Sequence, residues 1–150
     1  MAHSFANLLY HIVFATRHRE PLLDEPVRPE LFAFLAGAVR DLGGIALAVN
    51  GMLEHVHLLV KLRPDDALSN VVRTIKARSC AWVHRTRTEL AAFAWQSGYG
   101  AFSVSQSQEP RVHAYIDYQE KHHRDRPFDL EFRELLRKNG CDVDETFFWE

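Results

Sequence analysis

The sequence predicts an α+β domain that runs β-α-β-β-α-β and ends in additional C-terminal helices. Two observations lead to this. Runs rich in β-branched, aromatic and apolar residues alternate with longer stretches whose apolar residues recur at helical spacing. The second and third runs are joined by a short turn near Met52–Glu54, the mark of an antiparallel hairpin. With 150 residues the chain can bury one sizeable core, and residues 1–150 read as one domain without linker, repeat or low-complexity tract.

The first strand, NLLYHIVFAT (7–16), is apolar on both faces, as a central strand must be. The loop RHREPLLDEPVRPE carries three prolines. It leads into a helix with Leu31, Phe34, Leu35, Ala38, Val39 and Leu42 at helical spacing, stopped by Gly43-Gly44. IALAVNGML is the second strand and EHVHLLV the third. Val71, Val72, Ile75, Ala81, Trp82 and Leu90 mark a long second helix, which an Asp or Ser near its start can cap. GYGAFSVSQ is a glycine-flanked fourth strand, and EPRVHAYIDYQEKHHR starts near Pro110 and continues as a helix. FDLEFRELLRKNG is a further short helix ended by Gly140, and the aromatic residues of the tail CDVDETFFWE pack back onto the domain. This order is the split βαβ pattern of ferredoxin-like and RRM-like antiparallel sheets. Two helices cover one face of the sheet, and the other face is expected to be free for ligands. Such a fold does not by itself fix a function.

Hydrophobic residues make up 47% and charged residues 25%, the balance of an ordinary globular protein. No run of 18 apolar residues occurs, so no transmembrane helix is expected. The N-terminal MAHSFANLLYHIVF lacks the basic start and small-residue cleavage site of a signal peptide. Cys80 and Cys141 have no metal-ligand spacing, which fits a reducing, cytoplasmic setting. The net charge of −2 does not advertise nucleic-acid binding, yet charge is unevenly placed. Between Ser69 and Thr88 there is no acidic residue, whereas Arg73, Lys76, Arg78, Arg85 and Arg87 are basic. Such a patch either holds a phosphate backbone or is a solvated helix face.

The third strand carries the most informative pattern. In a strand, alternate side chains share a face, so His55 and His57 point one way while Val56, Leu58 and Val60 point the other. Two imidazoles about 7 Å apart along a strand suit two ligands of one metal ion. They also suit a pair of partly exposed, hydrogen-bonded histidines. Downstream, YIDYQEKHH puts Tyr115 and Gln119 at i and i+4, on one face of a helix. The amide oxygen of Gln119 suits a hard ion such as Mg²⁺ or Mn²⁺, and a tyrosine one turn away can attack a phosphate. Tyr118 competes as nucleophile and His123 as third ligand.

These stretches, with YHIVFATRHREPLL (10–23), IKARSCAWV (75–83) and WQSGYGAFSVS (95–105), resemble the IS200/IS605-type transposases. These are the single-tyrosine (Y1) members of the HUH endonuclease superfamily. The resemblance runs in order over nearly the whole chain. It implies that His55, His57 and Gln119 hold a divalent ion, Mg²⁺ or Mn²⁺, and that Tyr115 is the nucleophile. Glu54 stands where the family usually has Asp, and RHRE stands for a Lys-Tyr-Arg-like stretch.

The implied activity is cleavage and rejoining of single-stranded DNA through a 5′-phosphotyrosine and a free 3′-OH, without ATP. The implied partners are hairpin-forming DNA ends and a second copy of the chain, in a homodimer with composite active sites. Arg73, Lys76, Arg78, Arg85 and Arg87 would hold DNA backbone, and Trp82, Trp95 and Tyr99 are candidates to stack on bases, with Trp82 also fitting the core. A domesticated relative acting on chromosomal repeat hairpins would share this chemistry. A non-catalytic RNA-recognition-type module would need stacking aromatics where His55 and His57 stand. A two-histidine phosphoesterase would need a second H-x-[ST], and HRT (84–86) lies on a helix.

Overall fold

The computed structural model describes residues 3–121, 126–145 and 148. The strands are β1 (Leu8–Ala15), β2 (Ile45–Gly51), β3 (His55–Leu62) and β4 (Gly100–Val104). The helices are α1 (Arg28–Asp41), α2 (Leu68–Thr86), α3 (Glu109–Asp117) and α4 (Phe128–Lys138). The sheet is antiparallel with order β2-β3-β1-β4, so the expected ferredoxin-like arrangement with C-terminal helices is the one observed.

β1 and β3 are the central pair, and their alternation sorts side chains between two cores. Ile12 and Phe14 of β1, with Val56, Leu58 and Val60 of β3, pack beneath α1 and α2. His57 faces Val13 and His55 faces Ala15 across the β1–β3 ladder, so these residues share the other side of the sheet. The expectation of a free face is corrected here. Phe128 and Phe132 of α4 pack with Val13, Ala15, Phe102 and Phe148, and Ile116 of α3 packs with Ala48 and Leu59. α4 carries Phe128, Phe132, Leu135 and Leu136 along one side, an apolar stripe that must be buried somewhere, and this half of the sheet is what remains. Phe148 returns to this cluster as expected of the tail, while Phe147 and Trp149 lie outside the described residues.

Two glycines permit close approaches that position the site. At Gly51, which pairs with Val56, an added Cβ would run into the His55 carbonyl oxygen, so the hairpin closes tightly at the start of the histidine strand. At Gly100 an added Cβ would lie 2.7 Å from the Phe132 ring, so α4 sits directly on the backbone of β4.

The single helix expected over 109–124 is instead interrupted. α3 ends at Asp117, Tyr118 leaves helical geometry (φ −98°, ψ 23°), and helical backbone resumes over 119–121. Asn50 explains where the break falls. Its Nδ2 donates to the Ile116 carbonyl at 2.9 Å and the Asp117 carbonyl at 3.2 Å, satisfying acceptors that a helix end leaves unpaired. Asn50 lies opposite His57 on β2, so the same residue pins α3 beside the histidine pair.

Candidate active site

His55 and His57 have no exposed surface, which removes the reading of a partly exposed pair. Each is oriented through its Nδ1. His55 Nδ1 is 2.6 Å from Glu54 Oε1, and a carboxylate can only accept there, so Nδ1 carries the proton and donates it. His57 Nδ1 is 2.8 Å from His11 Nε2, buried on β1. Burial first, and then the neighbouring His57, hold His11 down at about 3, so it is neutral and shares one proton with His57. In both cases the Nδ1 partner fixes the ring and turns Nε2 toward the interior of the site.

Gln119 reaches the same point although the helix breaks before it. Its Oε1 lies 3.1 Å from His55 Nε2, and the residue has no exposed surface. A fourth group arrives from α4. Glu131, itself buried, places Oε1 2.7 Å from His57 Nε2 and 4.0 Å from His55 Nε2. His55, His57 and Glu131 offer ligand atoms all within 4.8 Å of one another.

This donor set fits a divalent ion. Two donors at right angles, each about 2.1 Å from an ion, are about 3.0 Å apart. The observed 2.7 Å and 3.1 Å match that spacing, and 4.0 Å matches a wider angle. With Nδ1 of His55 donating to Glu54, the facing atoms His55 Nε2 and Gln119 Oε1 are both lone-pair acceptors, an arrangement that a cation or a proton between them stabilises. Neutral imidazoles, an amide oxygen and a carboxylate are all competent ligands for Mn²⁺, and the oxygens for Mg²⁺.

Tyr115 stands at the wall of this cluster. Its ring is 5.8 Å from that of His57 and 6.1 Å from that of His11. Its phenol hydrogen-bonds with Glu131 and with Gln119. Burial, then the charge of Glu131 and that hydrogen bond, push the phenol above its ordinary value, and the Gln119 hydrogen bond pulls the other way. Tyr118, by contrast, is 60% exposed and faces solvent at the helix break. His123 lies outside the described residues.

Around the cluster, Phe128 stacks on His55 at 4.0 Å between ring centres. The Arg19 guanidinium sits 5.1 Å from the Phe128 ring and 4.6 Å from that of Phe148, and donates to the Phe148 carbonyl at 3.0 Å. Arg19 and His18, in the RHRE segment, both have positive φ (54° and 57°), a conformation side chains rarely adopt.

Arg73, Lys76, Arg78 and Arg85 of α2, and Arg87 at its C-terminal cap, lie on the helical layer across the sheet from the histidine pair. Arg73, Arg78 and Arg85 are exposed there. Arg87 pairs with Glu30 at 2.8 Å. Lys76 is turned inward, donating to the Gln96 and Gly98 carbonyls at 2.5 and 2.9 Å, and burial lowers its ammonium to about 8. Trp95 is buried in the core with its Nε1 donating to Ser79 Oγ at 2.9 Å, and Trp82, partly buried, packs against the same core and stacks on Phe34. Tyr99 is 38% exposed.

The structure thus brings His55, His57, Gln119 and Tyr115 together within one chain. The sequence reading missed Glu131 and His11. A carboxylate on the apolar stripe of α4, and a histidine inside an apolar central strand, are the signals that mark them.

Residues 4–119 match the family model described as IS200-like transposase. The chain is 24% identical over 117 residues to the ISDra2 transposase TnpA of Deinococcus radiodurans, covering 75% of this chain and 84% of that protein. Its fold is similar to the crystal structure of a putative transposase from Deinococcus radiodurans R1, with a TM-score of 0.61 and 24% identity, over 79% of this chain and 95% of that one. It is also similar to a REP-associated tyrosine transposase bound to a REP hairpin, with a TM-score of 0.56 and 19% identity, over 79% of this chain and 68% of that one. Among the described residues no helix is long and apolar enough to cross a membrane. With the family model matched over most of its length, the chain belongs to the IS200-like transposase family.

Proposed function

We propose that this chain is a metal-dependent single-stranded DNA transposase that cleaves by tyrosine attack. The observation that carries this reading is the convergence of Tyr115 with His55, His57, Gln119 and Glu131 in one buried cluster. His55 and His57, with Gln119 and Glu131, would hold a divalent ion, Mg²⁺ or Mn²⁺. When bound, such an ion supplies charge that neutralises the phosphate and polarises phosphorus.

Tyr115 Oη forms a bond to phosphorus as the bond to the 3′ oxygen breaks. The products are a 5′-phosphotyrosine and a strand that ends in a free 3′-OH. The phenol proton passes to solvent water. The departing 3′ oxygen takes its proton from water. Because the phosphoester is kept on Tyr115, a second 3′-OH can reverse the step and join a new strand without ATP. Hairpin-forming single-stranded DNA is the substrate we assign, in keeping with the hairpin bound by the REP-associated relative.

A covalent-adduct assay tests this reading. Labelled single-stranded DNA from the flanks of the gene is incubated with the protein and Mg²⁺ or Mn²⁺, then run on a denaturing gel. The expected adduct disappears with Tyr115→Phe and His55→Ala and persists with Tyr118→Phe. Loss only with Tyr118→Phe would mean that the other tyrosine attacks. Hairpin binding without any adduct would favour a non-catalytic module.

A further inference from the structure

Two cavities border the buried cluster, and their chemistry differs. One, of about 570 Å³, opens beside Glu54 and Phe128 and has the carboxylates of Glu54 and Asp129 in its lining, with Arg19. The other, of about 640 Å³, opens between β4, α3 and the C-terminal end of α4. His11 and Phe102 form part of its inner wall, and Tyr115 lines it as well. Its polar lining includes Ser103, Ser105, Gln108, Arg111, Lys138 and Asn139, and among the described residues no carboxylate lines it.

We propose that this second groove is the channel for the single strand adjoining the phosphate that Tyr115 attacks, with Arg111 and Lys138 holding its backbone phosphates. The inference rests on the transposase reading of Tyr115 and extends it to the path of the DNA. Three relationships carry it.

First, Tyr115 belongs to both the groove and the metal cluster, so a strand lying in the groove reaches the phenol without opening the cluster. Second, Arg111, Val112 and Tyr115 fall on one face of α3, and Gln108 is the residue that caps its start. Arg111 therefore lies one turn, about 6 Å along the axis, from Tyr115. Third, of the two cavities only this one has cations and no carboxylate in its lining among the described residues. Arg111 is exposed and makes no ion pair among the described residues. Lys138 is exposed and lies 3.8 Å from Glu134, a carboxylate that Arg137 already holds at 2.6 Å. Hydroxyl and amide groups between the two cations can donate to phosphate and sugar oxygens, which position a strand without reading its bases. The volume is that of a site for a small ligand, in the range of about 300–1,000 Å³. In the first cavity, Glu54 and Asp129 would repel the same phosphates.

The test measures binding of a 5′-fluorescein-labelled dT15 oligonucleotide to the full chain in EDTA, by fluorescence anisotropy across a salt series. Arg111→Glu, Lys138→Glu and the milder Arg111→Ala are compared with wild type, and circular dichroism checks that each is folded. Each charge reversal is expected to weaken binding roughly five- to twentyfold at low salt, and the log–log salt slope to fall by about 0.7 for each phosphate that is no longer neutralised. Wild-type affinity and slope in all three folded variants would overturn the groove. So would a loss confined to reversals at Arg73 and Arg85 on α2.

The adduct assay separates this result from the parent reading. If wild type forms the adduct and the groove variants bind as wild type, the groove fails while cleavage stands. If wild type forms no adduct but the groove variants lose dT15, cleavage fails and the groove stands as a single-strand site.

Discussion

Glu131 Oε1 lies 2.7 Å from His57 Nε2, joining the last helix to the histidine strand at the centre of the site. If both atoms are ligands of one ion, Glu131→Gln should weaken Mn²⁺ binding about tenfold or more. Isothermal titration or the electron-spin-resonance signal of free Mn²⁺ measures this without DNA. Unchanged or tighter Mn²⁺ binding would mean that Glu131 serves as a counter-charge to His57 and not as a ligand.

The packing of α4 gives a second way to move that carboxylate. A Cβ at Gly100 would meet Phe132 at 2.7 Å, and Phe132 is the residue next to Glu131. Gly100→Ala is therefore expected to displace α4, to cost about 1–3 kcal/mol of stability by overpacking, and to lower Mn²⁺ affinity although no ligand is changed. Thermal melts with and without Mn²⁺ read both effects. A variant with normal stability and affinity would show that α4 adjusts freely.

His11 makes the metal-free protein sensitive to acid. Its folded value is about 3 against an ordinary 6.5, so between these values the unfolded chain binds a proton that the native state refuses. The contribution is fully present above pH 6.5 and is lost as pH falls toward 3, with a slope of at most about 1.4 kcal/mol per pH unit. In EDTA, denaturant melts between pH 7 and pH 4 should fall more steeply for wild type than for His11→Gln. Equal slopes would assign the acid sensitivity to other groups.

Tyr115 works at the opposite end of the scale. Its folded value is raised above 10.0, so in alkali the native state keeps a proton that the unfolded chain releases. Stability should therefore fall as pH rises through 10, and Tyr115→Phe should remove that part of the slope. Ultraviolet absorbance at 295 nm, compared between wild type and Tyr115→Phe in EDTA, should place this phenol above the ordinary value. A difference spectrum titrating at or below 10 would mean that Tyr115 is better solvated than its packing implies.

Tyr115 and the histidines of its own chain already meet, with ring centres 5.8 Å apart for His57. A composite site in a homodimer is not needed to bring them together. Mixing Tyr115→Phe with His55→Ala protein is accordingly expected to give no adduct. Recovery of adduct in the mixture would show that the tyrosine helix is exchanged between two copies.

Much of the site is written locally. Strand alternation puts His55 and His57 on one side, and the spacing of Tyr115 and Gln119 places them near each other even though the helix breaks at Tyr118. The break itself was not legible, because it depends on Asn50, which reaches the α3 carbonyls from another strand. Nor was the fate of Lys76, whose ammonium meets the Gln96 and Gly98 carbonyls only once the loop before β4 is folded against α2. Glu131 lies beyond residues 4–119, the span that matches the family, and nothing in its own stretch names a partner.

By itself the sequence determined the β-α-β-β-α-β order, the histidine face of β3, and the family, because hydrophobic periodicity and short motifs act over a few residues. Only the tertiary structure decided that the histidine face is covered by α3 and α4, that Glu131 and His11 complete the cluster, and which groove leads to Tyr115. Each of these depends on where an apolar stripe finds its burial partner. That is fixed by packing between elements distant in the chain, and no local spacing records it.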